Sequence, residues 1–312
     1  NKLNKMLDCL SKIPYLKGMN KLPIEKRKQI INLLVEGTSL RATSRIADVS
    51  INTVTKLLVE VGQACQLFHD ETVKNVEARR VQADEIWSFV YSKEKNKPQD
   101  NEEAGDVWTF VGIDSDTKLV LSWMLGNRDI ETATFFMKDV AERIEGRVQL
   151  TTDGLKAYIN AVDAAFPTDE EIDFAQLVKI YGPETGTSGA ERKYSPCECT
   201  GAKKTVIYGQ PDEKFISTSH VERQNLTMRM HMRRFTRLTN GFSKKVENHG
   251  YAIALHFVYY NFAKVHKSLR VTPAMQAGLT KRVMSIEDIV NLVPESRARK
   301  RGPYKKKENN SN

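Results

Sequence analysis

Cysteine is scarce in this sequence and long apolar segments are missing, and both shortages limit the class of protein. The 312 residues include four cysteines whose spacing fits no disulfide framework, so we expect a reducing compartment. Cys197 and Cys199 form one close pair, but no second Cys or His pair with zinc-site spacing accompanies it. No apolar run approaches the ~20 residues of a membrane span, and no secretory signal is recognisable. We therefore expect a cytoplasmic protein with no membrane partner.

Acidic residues are missing from a basic stretch near the C terminus. The net charge is +9, and seven basic residues fall in this stretch: Arg297, Arg299, Lys300, Arg301, Lys305, Lys306 and Lys307. Such an arm neutralises DNA phosphates and adds affinity rather than sequence choice. Arg299, Lys300 and Arg301 are accordingly candidate DNA contacts, and the alternative is a solvated tail.

The pattern between residues 24 and 61 predicts three helices. The first ends at Gly37, and Ser39 and Ser50 have the positions of caps for the second and third. A trihelical unit with a short second connection is typical of a helix-turn-helix, whose last helix enters the DNA major groove. The outward residues predicted to contact DNA are Arg41, Arg45, Asn52, Thr53, Thr55 and Lys56. A plain helical hairpin is the alternative.

Strands and helices alternate after residue 80, which predicts an α/β fold with a mixed sheet. Strands are predicted at 81–91, 107–113, 119–125, 148–152 and 174–181, and helices at 131–144, 155–166, 219–238, 246–265 and 285–293. The first three strands can pair as a meander. The stretch 182–217 is rich in Gly, Pro, Lys and Thr and is predicted to be a long insertion.

Three acidic residues stand where these local patterns change. Asp84 lies inside the first strand, Asp153 ends the fourth, and Glu222 opens a helix rich in Arg. Carboxylates that meet repel one another unless a cation lies between them, and oxygen ligands suit Mg²⁺. Two such ions, ~3.5–4 Å apart, can activate a nucleophile on a phosphodiester. The alternative is that these acids are ordinary turn formers and helix caps.

The helix that begins near Glu222 carries a second set of candidate residues. Arg229 and Arg233 would fall within roughly 20° of the face of Glu222, and Asn225 about 60° from it, on an ideal helix. Arg suits DNA phosphates because its donors form a planar fork. A salt-bridged surface helix with no ligand is the alternative.

Three stretches of the chain together resemble a known family. QADEIWSFV, TTDGLKAY and HVERQNLTMRMHMRRF look like the catalytic domain of IS-one family insertion-sequence transposases, over roughly residues 81–273. The helix-turn-helix pattern also resembles the end-binding modules of bacterial transposases. Arg223, Asn225 and Arg229 match the segment that follows the family's last acid.

The resemblance implies a DDE-class enzyme with an RNase H-like fold. It implies that Asp84, Asp153 and Glu222 bind Mg²⁺, or Mn²⁺, and catalyse cleavage of transposon ends followed by attack of the 3′-hydroxyls on target DNA. Double-stranded DNA, a homo-oligomeric synaptic complex, a nucleoid-associated location and the absence of an organic cofactor follow as expectations.

This resemblance also sets the expected organisation of the chain. The parts are a helix-turn-helix domain at 1–65, a linking helix at 66–80, the catalytic domain at 81–273 and a C-terminal helix with the basic tail at 274–312. Two other functions stay open on the residues alone. One is a DNA-binding regulator without catalysis, and the other is an RNase H-like nuclease that cuts without joining.

Overall fold

The computed structural model describes residues 22–166, 172–182, 199–236 and 239–294. The basic residues Arg299, Lys300 and Arg301 lie outside the described residues, as does Cys197, so their roles stay predictions. Within the described ranges, no helix is both long and apolar enough to cross a membrane.

Six strands form one mixed sheet at the centre of the fold. They are β1 (Arg80–Val90), β2 (Gly105–Asp114), β3 (Val120–Gly126), β4 (Val148–Thr152), β5 (Ile172–Tyr181) and β6 (Cys199–Tyr208). Their order across the sheet is β3-β2-β1-β4-β5-β6. The first three pair antiparallel, which confirms the predicted meander, whereas β4 pairs in parallel with both β1 and β5.

Helices cover both faces of this sheet. The helices that follow β3 are α4 (Ile130–Arg143), α5 (Ala157–Ala165), α6 (Ser219–His231) and α7 (Val246–Val258). On one face, Ala83 of β1 belongs to a core that includes Phe136 of α4. On the other face, Ile86 of β1 shares a second core with Met228 of α6 and Phe257 of α7. The predicted α/β fold with a mixed sheet flanked by helices is confirmed.

Strand β6 lies within the stretch 182–217, which is predicted to be a long insertion, so part of this stretch belongs to the sheet. Residues 199–208 pair antiparallel with β5, with Val178 opposite Lys203 and Phe174 opposite Tyr208. Most of this edge strand is exposed, so it lacks the alternation of apolar and polar residues that marks a half-buried strand. A short 3₁₀ turn at Glu213–Phe215 follows it.

From residue 22 onward, three helices precede the sheet: α1 (Ile24–Val35), α2 (Leu40–Ile46) and α3 (Ile51–Thr72). The predicted caps are present, because the Ser39 hydroxyl accepts from the backbone N–H of Ala42 and the Ser50 hydroxyl from that of Asn52. The arrangement of helices fits the predicted trihelical pattern, and its assignment as a helix-turn-helix domain stays a prediction.

The separate linking helix predicted at 66–80 is wrong. Helix α3 runs without interruption for 22 residues to Thr72, and β1 begins at Arg80. The reason is that the buried stripe of α3 continues beyond Leu58 through Val61, Cys65 and His69. This stripe joins the core shared with the sheet, so the helix is held along its whole length.

The C-terminal helices pack back onto the first one. Helix α7 continues as a π-helical turn at Tyr259–Ala263, and the short helices α8 (Pro273–Gln276) and α9 (Ile286–Asn291) follow. The Lys28 ammonium of α1 lies 2.9 Å from the Glu287 carboxylate of α9. Ser285 and Asp288 form a capping box that begins α9.

Gly62 allows α3 and α7 to approach closely. A Cβ atom at this position would lie 2.4 Å from the carbonyl oxygen of Tyr251 and 2.6 Å from its Cβ. Both are parts of α7 that cannot rotate away. The two helices therefore touch at a point where any side chain would force the backbones apart.

Gly62→Ala tests this contact. Alanine ordinarily stabilises a helix interior by about 0.5–1 kcal/mol relative to glycine. Here we expect the free energy of unfolding to fall by about 1–3 kcal/mol, because overpacking must shift a backbone. The measurement is the urea unfolding midpoint. Gly201→Ala in β6 is the control, since its Cβ would meet just one atom, at 3.9 Å. A Gly62→Ala variant as stable as the parent would contradict the close approach.

Candidate active site

Parallel pairing of β1 with β4 brings the first two acids together. Ala83 lies opposite Thr152 in the register, so the next residues along these strands are Asp84 and Asp153. Asp153 follows the carboxyl end of β4, which is where open α/β sheets place their ligands. Carboxylate oxygens of Asp84, Glu85 and Asp153 all lie within 4.8 Å of one another.

Glu85 is the member of this acidic group that sequence reasoning missed. It is nearly buried, its carboxylate accepts from the Tyr158 hydroxyl at 3.2 Å, and the Arg128 Nε lies 2.5 Å from it. Successive strand residues ordinarily point to opposite faces, but the carboxylate oxygens of Asp84 and Glu85 still lie within 4.8 Å of each other. Asp153 lies beyond the end of its strand and comes close to both. The signal that could have identified Glu85 is its position next to Asp84, since two adjacent acids inside an apolar strand are unusual.

Crowding of these acids shifts their protonation. Burial, followed by the charges of Glu85 and Asp153, raises the pKa of Asp84 to about 7. Burial also raises the pKa of Asp153, although the backbone N–H of Leu155 and the charge of Arg128 oppose the rise. A cation among these groups would favour their ionised forms.

Helix α6 is fixed over β1 by two sets of hydrogen bonds. The Gln82 side-chain oxygen accepts from the backbone N–H groups of His220 at 2.8 Å and Val221 at 3.2 Å. One turn further on, the Asn225 amide donates to the Asp84 carboxylate at 2.9 Å. Asn225 is 4% exposed, and its Oδ1 has no hydrogen-bond partner among the described residues. The predicted residue Asn225 therefore lies directly against the acidic group.

Glu222 lies near the acidic group but is held by other residues. Its carboxylate accepts from the Lys179 ammonium at 2.5 Å and from the Thr218 hydroxyl at 2.7 Å. Its charge raises the pKa of both Asp84 and Asp153, so the three acids interact. The structure thus brings Asp84 and Asp153 into contact range, with Glu222 beside them and paired to Lys179.

The predicted basic stripe on the Glu222 helix is partly wrong. Helix α6 ends at His231, and Arg233 lies in a following 3₁₀ turn, so it does not share the helical face of Glu222. The helix ends there because Met232 and Phe235 are buried, and the Thr236 hydroxyl donates to the carbonyl of Arg229 near the helix end. Arg229 remains on α6 and is partly buried, whereas Arg223 and Arg233 are exposed.

The DNA contacts predicted in the N-terminal helices lie on the surface. Arg41, Arg45, Asn52 and Lys56 are exposed, and Thr53 and Thr55 are partly exposed. The Thr55 hydroxyl donates to the backbone carbonyl of Ile51 at 2.9 Å. Their accessibility is what DNA binding requires, and the contacts themselves stay predictions.

The acidic group has the chemistry of a site for a hard divalent cation. Asp84, Glu85 and Asp153 offer carboxylate oxygens, the ligands that Mg²⁺ and Mn²⁺ prefer. Burial, followed by the charges of Glu85 and Asp153, raises the pKa of Asp84, and a bound cation would favour its ionised form. These residues fit a divalent metal.

Comparisons with solved structures give weak likenesses to DNA transposases. A piggyBac transposase synaptic complex with hairpin DNA matches 94% of this chain and 75% of that chain, with 12% identity and a TM-score of 0.38. The Mos1 strand transfer complex matches 50% of this chain and 60% of that chain, with 14% identity and a TM-score of 0.22. No protein-family model and no curated protein matches the chain.

Asp84→Asn should stabilise the metal-free fold. The pKa of this carboxyl rises from 3.8 to about 7 on folding, so between these values the unfolded chain is more ionised and stability falls as the pH rises. Asn has no charge to bury. We expect its advantage in unfolding free energy to grow between pH 4 and 7, to on the order of 1–4 kcal/mol.

The measurement is urea unfolding with EDTA at several pH values, and Asp163→Asn on the exposed side of α5 is the matched control. An Asp84→Asn variant that is less stable than the parent at pH 7 would show that the fold does not disfavour the ionised form of Asp84.

Proposed function

We propose that this protein is a DNA transposase of a bacterial insertion sequence. It binds the element ends and catalyses metal-dependent DNA cleavage and strand transfer. In this proposal Asp84, Asp153 and Glu222 are the catalytic acids of a DDE-type, RNase H-like domain, and Mg²⁺ is the cofactor, with Mn²⁺ as a substitute. The partners are double-stranded DNA at the ends and target, and a second copy of the chain in the synaptic complex.

The observation that carries the proposal is the meeting of Asp84 and Asp153 at adjacent parallel strands. Their carboxylates lie within 4.8 Å of each other and of Glu85, and the charge of Glu222 reaches both. The family resemblance selects Asp84, Asp153 and Glu222, and does not include Glu85. Phosphoryl transfer depends mainly on positioning and on neutralising charge, for which such a site is suited.

Individual residues of the chain have separate roles in this mechanism. Asn225 donates to Asp84 and orients its carboxylate. The basic residues of α6 and the turn after it, Arg223, Arg229 and Arg233, contact the DNA backbone, where guanidinium groups bind phosphate through paired donors. Asp84, Asp153 and Glu222 would hold a divalent metal, which would activate the attacking oxygen and stabilise the leaving one.

In this proposal the N-terminal helices and the basic tail bind the DNA of the element ends and of the target. Arg41 and Arg45 bind phosphates, while Asn52, Thr53, Thr55 and Lys56 face base edges from the start of α3. Arg299, Lys300 and Arg301 add electrostatic affinity. The proposed location is the nucleoid in the cytoplasm, where the DNA partner lies.

Strand transfer into plasmid DNA tests the proposal. The substrate is a labelled duplex from the DNA that flanks the coding sequence, with Mg²⁺ or Mn²⁺. We expect joined products from the parent protein, and a loss of about 100-fold or more in Asp84→Asn and Glu222→Gln, because each removes a charge needed in the transition state. DNA binding by both variants should persist in a gel-shift assay.

Glu145→Gln is the matched control, since Glu145 is an exposed acid before the opposite end of β4. Full activity in Asp84→Asn would show that Asp84 is not a catalytic acid. Cut but unjoined DNA would indicate a nuclease, and DNA binding without cutting in every variant would indicate a regulator.

A further inference from the structure

Arg128 places a positive charge within the acidic group. It follows β3 and precedes Asp129, the N-cap of α4. Its Nε lies 2.5 Å from the Glu85 carboxylate and its Nη2 lies 3.7 Å from the Asp153 carboxylate. One guanidinium therefore bridges two of the three acids that fit a divalent cation.

Packing fixes the orientation of this guanidinium but leaves it open to solvent. Its central carbon lies 4.9 Å from the centroid of the Trp108 ring, a cation–π contact. The Arg128 side chain is 42% exposed, whereas that of Glu85 is 1% exposed. Arg128 is thus the accessible partner of a buried carboxylate, in a position that a ligand from solvent can reach.

We propose that Arg128 is an exchangeable internal cation of the active site. It holds Glu85 and Asp153 in place in the metal-free protein and yields their carboxylates to a divalent metal. The released guanidinium, still stacked on Trp108, then contacts a phosphate of the bound DNA. The exchange follows from the acidic group alone, and the phosphate contact rests on the proposed function.

The geometry gives opposite expectations for metal binding and for catalysis. A metal that enters the group competes with the guanidinium for the same carboxylates, so removal of Arg128 strengthens metal binding. The same removal takes away a phosphate contact and weakens cleavage. A residue with a merely structural role would lower both when it is removed. A lysine at position 128 would keep the positive charge, but it lacks the planar fork of donors of arginine and could not stack on Trp108 in the same way.

Mn²⁺ binding to the full chain without DNA tests the exchange. Free Mn²⁺ is measured by electron paramagnetic resonance during titration. We expect Arg128→Gln to bind about two- to fivefold more tightly than the parent, the range of a partly exposed ion pair. Arg147→Gln is the matched control, because Arg147 pairs with Asp173 at 2.7 Å before the opposite end of β4; its Mn²⁺ affinity should stay unchanged.

Arg128→Lys is the second variant and serves if the Gln variant does not fold. It should bind Mn²⁺ as the parent does and cleave DNA about tenfold or more slowly, since it loses the bidentate phosphate contact. Equal or weaker Mn²⁺ binding in Arg128→Gln, or parental cleavage by Arg128→Lys, would overturn the proposal. Tighter Mn²⁺ binding with no DNA cleavage by the parent would support the exchange while rejecting the transposase function.

Discussion

The parallel pairing of β1 with β4 is the constraint on which the candidate site depends. Its register sets Ala83 opposite Thr152, and the acids that follow them, Asp84 and Asp153, consequently meet. A shift of one residue in either strand would turn one of these acids to the wrong face. The buried side chains on both faces of the sheet, in two separate cores, keep this register in place.

The acidic group is balanced by cations from neighbouring elements. Arg128, before α4, bridges Glu85 and Asp153, and Lys179 of β5 pairs with Glu222. These cations do not offset the burial of Asp84 and the charges beside it, and its pKa is raised to about 7. Buried charge that is only partly compensated reduces stability, a cost found at many functional sites. The site is therefore organised around charge.

The sequence predicts those features of the fold and the candidate site whose signal lies in a short stretch of neighbouring residues. The strands at β1 to β5 were found because their apolar patterns are local, and Ser39 and Ser50 were found as caps for the same reason. Strand β6 was missed because an exposed edge strand carries no buried face. The position of Arg233 was misjudged because tertiary burial of Met232 and Phe235 ends the helix early. Arg128 reaches Glu85 across the fold, at a separation of 43 residues, and no local pattern records that contact.

The continuity of α3 bears on how the chain can be divided. A fragment that begins at residue 66 would start inside this helix and leave behind the residues that complete its buried stripe, including Val61 and Leu58. The apolar surface of α7 around Tyr251, which packs against Gly62, would then face water. Exposed surface of this kind promotes association between copies, so a fragment shortened in this way is expected to be prone to aggregation. The helical N-terminal region is thus a part of the folding unit that carries the acids.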